Sequence, residues 1–222
     1  MDPPNLAPDE SETDDAAFDG SPSWRVVRTL RDGTVITIRP ISPDDRDELR
    51  REFQQTSAQT RYLRFLGAVG ELTDATLTYL TSVDQKHHIA LVATLTTPDL
   101  KSERGVGVAR VIRLAGEGDI AEAAITVADD MQRRGVGAAL SYEIERAARA
   151  VGIRHIRADV LEGNAAMRAI LENVGAARVD TGDSPGTFSY DIALEQPRDR
   201  DGRSRLADVL RVVAQTIRDI TP

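Results

Sequence analysis

The sequence predicts a mixed α/β (α+β) fold in which a mostly antiparallel sheet is flanked by helices. Three observations carry this. Apolar runs of strand length alternate with segments of helical spacing, each bounded by turn residues. Their order reads hairpin, helices, three meandering strands, helix, strand, helix, hairpin. One strand, near 119–128, is followed by a full helix and then another strand, the arrangement of a right-handed crossover to a parallel neighbour.

Taken in order, residues 1–23 are rich in Pro and acid and poor in large apolar groups, so they read as a disordered tail. Trp24 to Leu30 and Thr34 to Arg39 flank Arg31-Asp32-Gly33, a hairpin turn. Ser42-Pro43-Asp44-Asp45 starts a helix to about Gln55, with a cap, a first-turn Pro and first-turn acids. A second helix is expected from Ala58 to Leu66, and a third after Thr73-Asp74 through about Thr81.

Strands follow at His88 to Thr96, Gly105 to Leu114 and Asp119 to Ala128. Helix Val136 to Ala150, strand Ile153 to Leu161 and helix Asn164 to Asn173 come next, the last ending at a left-handed Gly175. Ala177 to Thr181 and Thr187 to Leu194 close the domain, which spans 24–195. Residues 196–222 form a charged linker and an amphipathic helix. Leu206, Val209, Leu210, Val213, Ile217 and Ile220 make a single apolar stripe there, to be buried on the domain or in a homodimer.

Composition narrows the chemistry. The chain has 222 residues and no cysteine, which removes disulfides, thiolate metal sites and a cysteine nucleophile. The net charge of −8 belongs largely to residues 1–23, which hold seven acids and no Lys or Arg. The folded part is close to neutral and shows no basic face, so no nucleic-acid partner is expected. No apolar run approaches the ~18 residues of a membrane span, and Met1-Asp2-Pro3-Pro4 lacks the basic and apolar parts of a signal peptide, so none is expected. A cytoplasmic protein is expected. His87-His88 lacks a third ligand at useful spacing, so no metal is expected. Gly105-Val106-Gly107 has dinucleotide-site glycines but lies within a strand.

The informative stretch is Gln132-Arg133-Arg134-Gly135-Val136-Gly137-Ala138. It joins an apolar strand to a helix. Such a turn leaves backbone N–H groups unpaired at a positive helix end, where a phosphate or pyrophosphate fits. The glycines let a ligand approach the backbone.

This strand–turn–helix resembles the acyl-CoA motif of the GNAT superfamily of N-acetyltransferases, whose pattern is Gln/Arg-x-x-Gly-x-Gly/Ala. A second element is similar: strand Arg157 to Glu162, Asn164, then a helix ending in Gly175. Toward the front, Ile38-Arg39-Pro40-Ile41, Asp44-Asp45, Arg61-Tyr62-Leu63-Arg64-Phe65 and Ala90-Leu91-Val92-Ala93 resemble the bacterial protein-lysine acetyltransferase branch. That branch often carries a cyclic-nucleotide-binding or acyl-CoA-synthetase-like module, and neither fits within these residues.

The resemblance implies acetyl-CoA as co-substrate. Gln132, Arg133, Arg134, Gly135, Val136, Gly137 and Ala138 would line its pyrophosphate. Arg133 or Arg134 could also meet a phosphate side-on, or only cap a solvent face. Ile125, Thr126 and Val127 would pair their backbone with the pantetheine arm, and Asn164 would contact that arm, cap its helix, or both. Glu122 stands where the branch carries its catalytic glutamate. It lies five residues before Val127, about 16 Å of strand at ~3.3 Å each, the scale of an extended pantetheine arm. An acid inside an apolar strand also suits a general base through a raised pKa, the alternative being a structural glutamate on an exposed strand face. Relatives often place a tyrosine where this chain has Leu171, so the general acid is open. The implied acceptor is a protein lysine. A small-molecule amine, or a catalytically silent acyl-CoA-binding module, are the alternatives.

Overall fold

The computed structural model describes residues 17–55, 73–96, 103–180 and 186–194. The expected helix at 58–66, the acidic residues 1–16 and the C-terminal helix lie outside them.

The hairpin forms as β1 (Val26–Thr29) and β2 (Val35–Pro40), closed by Gly33 at φ 82. The helix start at Ser42 is real but tighter than expected. Pro43–Asp45 is a 3-10 turn, and α1 (Arg46–Gln55) follows it. Asp45 explains the tightening. Its carboxylate accepts from the Ser42 backbone N–H at 2.8 Å and from both terminal nitrogens of Arg39 at 2.8 and 2.9 Å.

Next come α2 (Asp74–Thr81), capped by the Thr73 hydroxyl, then β3 (His88–Thr96), β4 (Glu103–Arg113) and β5 (Ile120–Val127). Helix α3 (Val136–Ala150), β6 (His155–Leu161), α4 (Ala165–Asn173), β7 (Ala177–Val179) and β8 (Thr187–Ala193) complete the domain. Gly175 is left-handed at φ 75, as its place after α4 predicts.

The eight strands make one sheet, ordered β1-β2-β3-β4-β5-β6-β8-β7. All neighbours are antiparallel except β5 and β6, which the α3 crossover makes parallel. Helix α3 lies against β3, β4 and β5. Its apolar stripe of Val136, Leu140, Ile144, Ala147 and Ala148 is fully buried. Each large side chain there contributes about 1.5–3 kcal/mol by leaving water. Helices α1 and α2 pack together, and α1 reaches β4.

One expected boundary moves. Phe18, assigned from sequence to the disordered tail, is buried and meets Trp24 edge-on at 5.1 Å between ring centroids. The packed domain therefore begins before residue 24, because a buried aromatic pair holds that segment. No helix among the described residues is long and apolar enough to cross a membrane.

Candidate functional site

The sheet divides at β5. Strand β4 pairs with β5 as far as Val127, and β8 pairs with all of β6. Between β5 and β6 the ladder contains only Ile120↔His155, Ala121↔Ile156 and Glu122↔Arg157. Beyond that pair the two strands face each other without hydrogen bonds. The result is a wedge whose apex is Glu122 and Arg157. One wall is Ala123 to Val127 and the other is Ala158 to Leu161. Backbone N–H and C=O groups along such walls need partners. An extended ligand bearing amides supplies them as an added strand would.

The wide end of the wedge leads to the turn before α3. Arg133 stands at φ 64, and Gly135, the N-cap of α3, at φ 106. No side chain caps Gly135. The first N–H groups of α3, from Val136, Gly137 and Ala138, therefore remain for an anion. Val136 keeps its side chain in the core, whereas Ala138 is exposed. Gln132 braces the turn by donating to the Asp129 carboxylate at 2.9 Å.

The two arginines of the turn do different things. Arg134 donates through Nε to the Asp32 carboxylate and through Nη2 to the Thr34 hydroxyl, both at 2.6 Å. It latches the turn before α3 to the β1–β2 hairpin. The Thr34 N–H and Arg134 hold the Asp32 carboxyl down at about 2. Arg133 is exposed, with no such engagement among the described residues, and is the arginine at liberty to meet a phosphate. Asn164 caps α4 by accepting the Met167 N–H at 3.1 Å, which leaves its amide NH2 for a ligand. Leu171 is buried among core residues, in keeping with a packing role.

Glu122 sits at the apex, on the sheet face shared by Ala124 and Thr126. It is exposed rather than enclosed, so the apolar surroundings expected from its strand are not there. The reason is the alternation: Ala121, Ala123 and Ile125 turn to the α3 side, and Glu122 to the other. Arg157, beside it in register, is committed elsewhere. It grips Asp191 through Nε at 2.8 Å and Nη2 at 2.9 Å, and Glu117 through Nη1 at 3.0 Å. Nothing in the sequence marks this clamp, whose partners are 34 and 40 positions away.

On the same face lies a cavity under α1, lined in part by Asp45, Glu48, Glu103 and Thr126. Its acids are mostly paired: Asp45 and Glu103 with Arg39, and Glu48 with Arg51. Nearer Glu122, His88 faces Ile112 in the register and accepts from Arg110 Nη1 at 3.2 Å. Tyr79 lies 5.2 Å from its ring. Burial and the Arg110 cation lower the His88 pKa to about 4, so the ring is neutral at neutral pH.

The unfolded chain, with a His pKa near 6.5, then binds this proton more readily than the folded one. Stability is expected to fall as pH drops from 6.5 toward 4. Urea midpoints measured across this window test it. His88→Asn should flatten that part of the profile, while carboxylates such as Asp32 account for the loss below it.

Among the described residues no group of three His, Cys, Asp or Glu side chains is arranged to hold a metal. The geometry is that of a site for a long anionic ligand. It has a helix N-terminus at one end, an unpaired strand edge along the middle and a carboxylate at the far end.

Comparison with known proteins places the chain in a family. The model of the acetyltransferase (GNAT) domain family matches residues 36–177. Acetyltransferase PA5475 of Pseudomonas aeruginosa is 35% identical over 160 residues, covering 72% of this chain and 83% of that protein. Acetyltransferase Pat of Mycolicibacterium smegmatis is 34% identical over 154 residues, and the match takes in 68% of this chain but only 44% of that longer protein. The crystal structure of the GNAT domain of S. lividans PAT superposes with a TM-score of 0.62 at 27% identity, over 77% of this chain and 97% of that one. The family match spans well over half of the sequence, and the wedge and turn fall inside it. The chain belongs to the GNAT acetyltransferase family.

Proposed function

We propose that this protein transfers an acetyl group from acetyl-CoA to a primary amine, foremost the ε-amine of a protein lysine, with Glu122 as general base. The observation that carries the proposal is the wedge. Its open strand edge runs from Glu122 to the uncapped N-terminus of α3. In this reading the N–H groups of Val136, Gly137 and Ala138 hold the diphosphate, with Arg133 beside them. The edges of Ile125, Thr126 and Val127 pair with the pantetheine amides, and Asn164 meets the arm from α4. When bound, acetyl-CoA supplies an acetyl group already activated as a thioester. The protein's part is to orient that group and to free the amine.

Freeing the amine is the harder task. A lysine ammonium has a pKa of ~10.4 and must lose a proton before its nitrogen carries a lone pair. Glu122, exposed on the face away from α3, is placed to accept that proton and pass it to water. The preference for a protein lysine rests on the front-half motifs that resemble the bacterial protein-lysine acetyltransferase branch. Release of CoA thiol, measured with lysine peptides and with a panel of small amines, tests it. Turnover confined to small amines removes the lysine reading. No affinity for CoA by calorimetry removes the whole proposal.

Gly135 gives a sharper test of the cofactor end. At φ 106 a β-branched residue is strained by a few kcal/mol, and relief requires the turn to move. Gly135→Val is expected to weaken CoA binding by about tenfold or more, the equivalent of ~1.4 kcal/mol. Calorimetric Kd values for the two proteins check this.

A second reading, a silent acyl-CoA-binding module, has one observation in its favour. Leu171 is a buried core residue where relatives often carry a tyrosine. CoA binding without thiol release on any amine would establish it. A free thiol, with pKa ~8.5, leaves as thiolate without full protonation, so we favour turnover.

A further inference from the structure

The wedge has a second carboxylate. By strand alternation, Asp159 of β6 lies on the same sheet face as Arg157 and therefore as Glu122. Were the β5–β6 ladder to continue, Asp159 would stand opposite Ala124, one step diagonal from Glu122. Side chains so related on adjacent strands are about 7–8 Å apart, and the splay adds to this. The two carboxylates thus flank the gap from opposite walls.

Three features set Asp159 apart from an ordinary surface acid. First, it is aimed. Ser189 of β8, itself buried, pairs with it in the ladder and donates its hydroxyl to Asp159 Oδ1 at 2.6 Å. Second, Arg157, two positions before it on the same strand face, is engaged elsewhere, because it grips Asp191 and Glu117. Third, neither Glu122 nor Asp159 has an ion-pair partner among the described residues, whereas Asp45, Glu48, Glu103, Asp130 and Asp191 each have an arginine. Two carboxylates on either side of a gap, neither ion-paired among the described residues, form a place that attracts an ammonium group.

We propose that Asp159, oriented by Ser189, binds the ammonium form of the acceptor near the apex of the wedge, across from Glu122. This rests on the acetyl-transfer reading above and names the acceptor's chemistry more narrowly: an amine that arrives protonated. Asp159 recognises the charge and delivers the nitrogen, and Glu122 removes the proton. Ser189 is a positioning residue, acting through Asp159.

A charge-assisted hydrogen bond of this kind corresponds to about a 10- to 100-fold change in affinity. The test uses the full chain and a lysine peptide. Peptide Kd is measured by calorimetry with CoA present, and peptide KM by thiol release. Asp159→Asn is expected to raise both by at least tenfold, with the loss falling on KM rather than kcat and CoA Kd within twofold. Asp159→Glu should recover part of the affinity. Ser189→Ala should raise peptide KM a few-fold in the same direction. Unchanged peptide Kd in Asp159→Asn overturns the inference, as does a parallel loss of CoA affinity, the mark of a disordered wedge. Absence of peptide binding to the wild-type protein overturns it too. Failure of the wild type to bind CoA instead strikes the acetyl-transfer reading itself.

Discussion

Glu122→Gln is expected to lower kcat on a lysine peptide by about 10²- to 10⁴-fold, the range for removing a positioned general base. The substitution keeps size and hydrogen-bonding shape but leaves a group that cannot take a proton at neutral pH. Glu122 is exposed, and no hydrogen bond or ion pair of its side chain occurs among the described residues, so the fold should not register the change. CoA affinity should also hold, because the diphosphate end lies about 16 Å along the strand. Steady-state kinetics and calorimetry on the same preparation separate these effects. The diagnostic pattern is a collapse of kcat with CoA Kd unmoved. A partial recovery of rate at high pH would fit, since part of the amine is then already neutral. Equal turnover in the two proteins would remove Glu122 from the chemistry.

Arg157→Met should produce the other large effect, on stability first. The Arg157 side chain is 9% exposed and that of Asp191 12%. Removing one partner of such a pair strands the other charge, at a cost of about 3–5 kcal/mol. Thermal denaturation should show this as a clear drop in Tm. The control is Arg157→Met with Asp191→Leu, which removes both charges and should recover much of the loss. The clamp joins β6 to β8 and to the turn before β5, at the point where β5 and β6 part. CoA binding is therefore expected to weaken in the single variant more than in the double one. A single variant as stable as the wild type would show that the clamp contributes little.

Local signals explain how much of this was readable in advance. Helix α3 and strand β3 occupy the residues their periodicity predicts, because long regular segments leave little ambiguity. The strand–turn–helix before α3 was legible for the same reason: strand, glycines and helix are contiguous. Distance in the sequence hid the rest. Arg134 looks like a phosphate ligand until Asp32, 102 positions earlier, is seen holding it. Phe18 sits in an acidic, Pro-rich stretch, and only its contact with Trp24 reveals it as core. The apolar neighbours of Glu122 suggested enclosure, but alternation turns them to the opposite face. Asp159 gives no signal at all until Ser189, 30 positions later, is paired with it.

Where β5 and β6 part, the protein carries an unsatisfied edge in the middle of a sheet rather than at its rim. Rim edges invite other chains to add on, and proteins shield them. Here the flanking strands do the shielding. The cleft starts from an ordinary inter-strand spacing of ~4.8 Å at its apex. A polypeptide entering it would have to force its side chains past both walls. A slender chain with amides and no branches larger than methyl meets no such obstacle. Thickness alone thus sorts what can complete the sheet, before any charge or hydrogen bond is read.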